Sequence, residues 1–164
     1  MKFLHLMRHA KSSWNESGLS DRERGLNKRG RRDAPRMGQA LSQSIAPMPV
    51  TVSPARRARL TLEGLCEGWP ALGDFHHTID EQLYTFSAQD LVAWLWERDD
   101  VEQSLFIIGH NPAFTDLANF LVADFELDNL PTAGYLQLAL RIDHWRDMGQ
   151  CCAAVDLSLF PRQL

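Results

Sequence analysis

Three short polar segments of the sequence combine side chains that bind or attack phosphate. Arg8 and His9 form the first, a run of arginines after Ser53 forms the second, and His110 lies in the third, Gly-His-Asn-Pro at 109–112. Guanidinium groups bind the oxygens of a phosphoryl dianion through paired hydrogen bonds, and a neutral imidazole is a nucleophile. Together these residue types indicate phosphoryl chemistry, provided that the fold brings the segments to one place.

The elements that would position these segments alternate between strand and helix. Apolar periodicity predicts strands at 2–8, 49–53, 76–79, 104–109, 134–141 and 152–159, and helices at 28–43, 54–68, 88–98 and 112–122. This order predicts an α/β fold, a three-layer α/β/α sandwich with a mostly parallel central sheet. No linker or repeat divides the chain, so we expect a single domain over 1–164.

Each polar segment follows a predicted strand. In an open α/β sheet the carboxyl ends of parallel strands lie at one edge, and ligands bind there. The segments are therefore predicted to meet in one pocket. We expect no metal or cofactor in it, because no spacing of Cys, His or carboxylate residues typical of a metal site occurs nearby.

Local sequence also marks helix starts. Ser53 and Asn111 each precede a proline, which is favoured at the first helical position. Ser87 with Asp90 three residues later resembles a capping box. Pro35 could interrupt the helix predicted at 28–43.

Composition restricts the partners and the compartment. A formal net charge of −4 argues against a nucleic-acid partner, and the apolar runs are shorter than the roughly 20 residues that span a membrane. The basic run at 22–32 is interpreted as a solvated loop and helix start. Three cysteines, two of them adjacent, and an N-terminus unlike a signal peptide indicate reduced thiols and a cytoplasmic location.

The segments resemble those of the histidine phosphatase superfamily, whose fold is called phosphoglycerate mutase-like, and the SixA type within it. LMRHAKSSWN at 6–15 is similar to the Arg-His-Gly signature of the family, with Ala10 in the glycine place. The likeness continues in family order through 20–34, 53–61 and 107–114. It covers most of the chain and implies a phosphatase without a cofactor.

The resemblance implies roles for individual residues. His9 would accept the phosphoryl group, and three side chains would bind its oxygens: Arg8, Arg57 and His110. Arg57 is chosen because it precedes an alanine and lies four residues before Thr61, as the family pattern Arg-Ala-x-x-Thr requires. The adjoining arginines, Arg56 and Arg59, are expected to face solvent.

Three further positions carry weaker assignments. Ser12 and Asn15 match family positions that line the phosphate loop. Glu81 could be the general acid of mutase-like members, and an exposed loop carboxylate is the alternative, since SixA-type members lack that acid. Trp14 could form the rim of the pocket or simply anchor its loop.

The implied mechanism has two steps: neutral His9 attacks phosphorus, and water hydrolyses the resulting phosphohistidine. His110 is expected to be a cation beside the phosphoryl oxygens. Only 28 residues separate Glu81 from His110, whereas mutase-like relatives carry a long insertion there that covers the site. An open pocket predicts phosphohistidine on a protein as substrate, such as a histidine phosphotransfer domain in signal transduction.

Two alternatives remain open at this point. A small-molecule phosphomonoesterase acting on a sugar phosphate or nucleotide would use the same residues on a small phosphorylated metabolite. A non-catalytic phosphate-binding module would share the fold without turnover.

Overall fold

Six strands form one sheet in the computed structural model, which describes residues 1–164. The strands are β1 Lys2–Arg8, β2 Thr51–Val52, β3 Thr78–Ile79, β4 Ser104–Gly109, β5 Tyr135–Leu140 and β6 Ala153–Leu159. Their order is β3-β2-β4-β1-β5-β6. Strands β1 to β4 are parallel, and β5 is antiparallel to both of its neighbours. The prediction of a mostly parallel sheet is confirmed.

Helices cover both faces of the sheet. They are α1 Lys28–Ser42, α2 Arg56–Gly68, α3 Pro70–Gly73, α4 Ala88–Trp96 and α5 Ala113–Leu121. Helices α1 to α3 pack with Met7 of β1 in one apolar cluster, and α4 and α5 pack with Leu4 and Leu6 in the other. The predicted α/β/α sandwich is therefore confirmed. None of these helices combines the length and the apolar character that crossing a bilayer requires.

Strand β1 lies in the middle of the sheet and carries Arg8 at its carboxyl end. Its residues pair in parallel with β4 and antiparallel with β5. Because side chains alternate between the two faces of a strand, Leu6 and Met7 enter different cores, and both are fully buried. At the other end, the ammonium group of Lys2 donates to the carbonyls of Asp100 and Glu102. The strand that leads to His9 is thus held along its whole length.

Helix α1 is not interrupted at Pro35, contrary to the possibility that the sequence raised. Its first turn is capped by Asn27, whose side chain accepts from the amide of Gly30. Helix α2 packs so closely on α1 that a Cβ at Gly68 would overlap the Pro35 carbonyl. This tight packing supports α1 where proline removes a backbone donor.

The predicted caps are only partly found. Helix α2 begins at Arg56 rather than at Pro54, and the side chain of Ser53 contacts His110 instead of capping it. Asp90 accepts from the hydroxyl of Thr85, so no capping box forms. Asn111 does accept from the amide of Thr115 in the first turn of α5. Of the three predicted caps, only that of Asn111 forms, because Ser53 and Asp90 bond other side chains.

Candidate active site

The three polar segments meet at the carboxyl edge of the sheet, because β1, β2 and β4 are neighbours there. The amide of His9 donates to the carbonyl of Gly109 at 3.0 Å, and the amide of Ser53 donates to that of Ile108 at 3.0 Å. These bonds hold the segments after the three strands together. The rings of His9 and His110 consequently lie 5.3 Å apart between centroids.

One ring nitrogen of His9 is unprotonated. Its Nδ1 lies 2.7 Å from the carbonyl oxygen of Ala10, which can only accept, so Nδ1 carries the proton. Nε2 is then unprotonated, and Nε of Arg57 donates to it at 3.4 Å. Burial, helped by the charges of neighbouring arginines, lowers the pKa of His9 to about 3. The imidazole is therefore neutral at physiological pH, the state that nucleophilic attack requires.

The loop after His9 is fixed by a threonine on α2. The amide of Ala10 donates to Oγ1 of Thr61 at 2.9 Å, and that hydroxyl donates to the carbonyl of Arg57 at 2.7 Å. On the other side, Gly30 of α1 lies against the carbonyl of Lys11 so closely that a Cβ would overlap it. Two helices thus set the position of the nucleophile.

Arg57 is the buried arginine of its run, and its neighbours Arg56 and Arg59 are exposed. Its guanidinium donates to the carbonyl of Asp21 at 2.7 Å and to the carboxylate of Asp21 at 3.0 Å. One amino group also lies 3.3 Å from Nδ1 of His110. The structure therefore places Arg57 between the two histidines.

Arg8 contributes a donor to the same region. It is half-buried, its Nη1 donates to the carbonyl of Leu130 at 2.9 Å, and its Nε is buried without a hydrogen-bond partner. Besides burial, the charge of Arg8 lowers the pKa of both His9 and His110, so its guanidinium lies near both rings.

Arg24 is a second such arginine that the sequence interpretation missed. Its Nη1 donates to Oγ of Ser12 at 2.7 Å, its Nη2 to Asp21 at 2.8 Å, and its Nε is buried without a partner. The ring of Trp14 stacks on the guanidinium at 3.6 Å. Arg24 stands in the basic run at 22–32, where nothing in the local pattern separates it from the exposed cations beside it.

The three weaker candidates have different surroundings. Ser12 is buried and contacts the site through Arg24, whereas Asn15 is exposed and its side chain makes no hydrogen bond within the chain. Glu81 is 68% exposed and forms an ion pair of 2.6 Å with Arg22. The hydrogen bond from Arg22 lowers the pKa of Glu81, so its carboxyl group is ionised at neutral pH.

The protonation state of His110 follows from its two hydrogen-bond partners. Its Nδ1 faces a guanidinium that can only donate, so the proton lies on Nε2, which donates to Oγ of Ser53 at 2.7 Å. Burial, with the charge of Arg57, lowers the pKa of His110 to about 3. Burial beside Arg57 thus opposes a positive charge on His110, and the predicted cation concerns the ring with phosphoryl oxygens next to it.

The loop at 16–26 folds against the site through Asp21. This carboxylate accepts from Arg24, Arg57 and the hydroxyl of Tyr84. Partial burial opposes its ionisation, but these hydrogen bonds outweigh burial and hold the pKa of Asp21 well below its usual range. Three guanidinium groups and one carboxylate leave the pocket with net positive charge, which suits a phosphoryl dianion.

Comparisons with known proteins agree with this geometry. The sequence profile of the histidine phosphatase superfamily (branch 1) matches residues 4–97. An uncharacterised chloroplast protein of Arabidopsis thaliana is 28% identical in an alignment of length 127 that covers 72% of this chain. The chain spans 58% of that relative's length.

Solved structures show the same fold. A chain assigned as the phosphohistidine phosphatase SixA of Agrobacterium tumefaciens superposes with a TM-score of 0.79 at 21% identity, covering 98% of both chains. The protein histidine phosphatase SixA complexed with tungstate gives 0.78 at 19% identity, covering 98% of both. A mycobacterial glucosyl-3-phosphoglycerate phosphatase gives 0.67 at 16% identity, covering 96% of this chain and 98% of that one.

The matched profile extends over more than half of the chain and includes both His9 and Arg57. The remaining strands and helices complete the phosphoglycerate mutase-like architecture that the sequence resemblance implied. This chain belongs to the histidine phosphatase superfamily, branch 1.

Proposed function

We propose that the chain is a phosphatase that removes the phosphoryl group from phosphohistidine on a protein, with His9 as the phosphate acceptor. The observation that carries the proposal is the state of His9: a neutral ring whose Nδ1–H is engaged by Ala10 and whose Nε2 lone pair faces the guanidinium of Arg57. A nucleophile placed beside cationic donors is the arrangement that phosphoryl transfer requires.

In the first step the Nε2 lone pair of His9 forms a bond to phosphorus while the phosphorus–nitrogen bond of the substrate breaks. The electrons of that bond return to the substrate imidazole, which keeps a proton on its other nitrogen and leaves as a neutral ring. In the second step water attacks phosphorus, inorganic phosphate departs, and the bond electrons return to Nε2. The water proton passes to phosphate or solvent.

The residues around His9 support both steps. The positive charges of Arg8 and Arg24 act on His110, so both guanidinium groups lie near that ring and would bind phosphoryl oxygens together with Arg57. Phosphorylation at Nε2 makes the His9 ring cationic, and the carbonyl of Ala10 accepts from its Nδ1–H at 2.7 Å. A bound phosphoryl dianion would also favour protonation of His110, which would then donate to it.

The state of the nearby carboxylates favours a phosphorus–nitrogen substrate over an ester. An alkoxide leaving group needs a proton donor, but hydrogen bonds lower the pKa of Glu81 and of Asp21, so both are ionised at neutral pH. A phosphohistidine ring can carry its own proton and departs without an acid. We therefore do not assign Glu81 the role of general acid.

A phosphotransfer domain in a signalling relay is the partner that we propose, in the cytoplasm that the sequence indicates. Between Glu81 and His110 the chain holds only helix α4, strand β4 and their connections, so no long insertion covers the site. A small-molecule phosphatase is the second candidate, because a structurally similar mycobacterial protein is a glucosyl-3-phosphoglycerate phosphatase.

The test is turnover of three substrates by the unaltered protein and by His9→Ala. The substrates are a histidine phosphotransfer domain labelled with radioactive phosphate, a sugar phosphate and an aryl phosphate. We expect loss of label from the domain to be at least about a thousandfold faster with the unaltered protein, since the variant lacks the nucleophile. Acid quenching should be avoided, because a phosphohistidine adduct is stable in base and labile in acid.

The variant Glu81→Gln distinguishes the phosphohistidine phosphatase from the small-molecule phosphatase. Detection of a phosphohistidine adduct at His9 distinguishes either enzyme from a non-catalytic module. The proposal expects Glu81→Gln to hydrolyse phosphohistidine at the unaltered rate. Equal loss of label with His9→Ala would contradict it, and preferential turnover of the sugar phosphate that depends on Glu81 would favour the second candidate. If no base-stable adduct forms at His9 and no substrate is turned over, the chain is a phosphate-binding module without catalytic activity.

A further inference from the structure

Two aromatic side chains stand beside His110 on the solvent side of the site. The ring centroids of Tyr84 and Phe86 each lie 5.4 Å from that of His110, and they lie 5.8 Å from each other. Both belong to the connection between the 3-10 turn Glu81–Leu83 and helix α4. His110 is 1% exposed, whereas Phe86 is 49% exposed. The two rings therefore connect the buried His110, here called the floor of the site, to the exposed side at Phe86, here called its mouth.

Packing does not account for the position of Phe86. The ring of Phe86 contacts those of Tyr84 and His110 on one side. The half of its surface that stays in water gains nothing from burial. The two rings also differ in their contacts within the protein. The guanidinium of Arg22 lies 5.7 Å above the ring of Tyr84, and the Tyr84 hydroxyl donates to Asp21. Tyr84 is thus engaged within the protein, and Phe86 presents an unoccupied surface.

The expected path of the reaction places the leaving group near this surface. In-line transfer puts the nucleophile and the leaving group on opposite sides of phosphorus. His9 is 7% exposed and lies at the floor, so the leaving group lies toward the mouth, where Phe86 stands. A flat ring can stack on phenylalanine, and a protonated ring is also attracted by the negative face of an aromatic side chain.

We infer that Phe86 is a specificity-determining residue that binds the imidazole ring of the substrate phosphohistidine as it leaves, an inference that rests on the proposed function. The ring of Tyr84 lies beside that of Phe86, with 5.8 Å between centroids, and extends the aromatic surface on that side of the site. Phosphoramidate has the same phosphorus–nitrogen bond but no ring, so Phe86 offers it no such contact.

The test compares phosphohistidine in a phosphotransfer domain with phosphoramidate, for the unaltered protein and for Phe86→Ala and Phe86→Trp. We expect Phe86→Ala to lower the ratio of the two kcat/KM values, phosphohistidine over phosphoramidate, by about tenfold, and Phe86→Trp to preserve it. Phe75→Ala is the matched control: Phe75 is 38% exposed and precedes β3 at the opposite edge of the sheet, so the ratio should stay unchanged.

The outcomes separate the inference from the function on which it rests. If Phe86→Ala lowers both kcat/KM values equally or changes neither, the specificity role is wrong while the phosphatase activity stands. If the unaltered protein turns over phosphohistidine no faster than His9→Ala, the proposed function and the role of Phe86 are both wrong. Circular dichroism and thermal unfolding of Phe86→Ala check that the variant is folded before the ratios are compared.

Discussion

The carboxylate of Asp21 forms an ion pair with Arg57, in which Nη2 donates to Oδ2 at 3.0 Å. Its other oxygen accepts from Nη2 of Arg24 at 2.8 Å. One exposed 3-10 turn, Asp21–Glu23, therefore sets the spacing between two guanidinium groups that come from different parts of the chain. The pocket owes part of its geometry to a residue that does not itself bind an anion.

Asp21→Asn should lower kcat/KM by about tenfold, because a neutral amide binds the two guanidinium groups more weakly than a carboxylate does. Solvent exposure of this side chain keeps the effect moderate. Steady-state kinetics with an aryl phosphate measures this change. Glu23→Gln is the matched control, since Glu23 accepts only from Ser20 in the same turn. A rise in kcat/KM for Asp21→Asn would mean that the carboxylate competes with the phosphoryl group instead.

Arg24→Lys should lower kcat/KM by about 10- to 100-fold, although it preserves the charge. An ammonium group cannot hold Ser12 and Asp21 in the fixed planar geometry of the guanidinium fork. Arg29→Lys, on the exposed side of α1, should leave kcat/KM unchanged. Equal activity of Arg24→Lys and the unaltered protein would show that only charge matters at this position.

Gly30→Ala should lower the free energy of unfolding by about 1–3 kcal/mol, because the added Cβ overlaps the Lys11 carbonyl in the loop after His9. Urea titration measures the change, and kcat should fall with it, since the nucleophile is displaced. Gly149→Ala provides the control because its Cβ would meet no atom within 4 Å. Similar stabilities of the two variants would contradict the close approach of α1 to the loop.

Stability should decrease as the pH falls from 7 to 5. Burial lowers the pKa of His9 and of His110 to about 3 and that of His5 to about 4. The unfolded chain takes up protons near the ordinary value of about 6.5 whereas the folded chain does not, so acid favours unfolding through this window. Each histidine should contribute about 1–2 kcal/mol between pH 7 and pH 5.

Urea titration at several pH values tests this dependence. Replacing His5, which stacks on Phe106 and contacts Tyr135, with asparagine should reduce the slope of stability against pH in addition to its effect at pH 7. A slope that is unchanged by the replacement would mean that His5 does not contribute. Rising stability on acidification would contradict the assignment for all three histidines.

Much of this architecture follows from local sequence. Strands β1 and β4 are apolar runs flanked by polar residues, and β4 has the predicted bounds of 104–109. Helix bounds were less accurate because cap side chains have competing partners, as Ser53 shows by binding His110. The convergence of His9, Arg57 and His110 was predictable since each follows a parallel strand.

The remaining parts of the site depend on contacts between distant residues. Arg24 reaches the pocket through Ser12 and Asp21, and no spacing rule distinguishes it from Arg22, which pairs with Glu81 at the surface. Likewise, the neutral state of His110 depends on burial beside Arg57, a property of the folded chain alone. Such features require the tertiary arrangement, since residue type and periodicity do not encode them.

The residues at the mouth of the site and those at its floor belong to different kinds of backbone segment. His9 and His110 follow strands bonded within the sheet, whereas Tyr84 and Phe86 lie in a connection outside it. Exchanging residues in that connection should therefore redirect the protein toward other phosphorylated compounds while the transfer machinery beneath stays intact. For protein engineering, this makes residues 84–87 the place to diversify first.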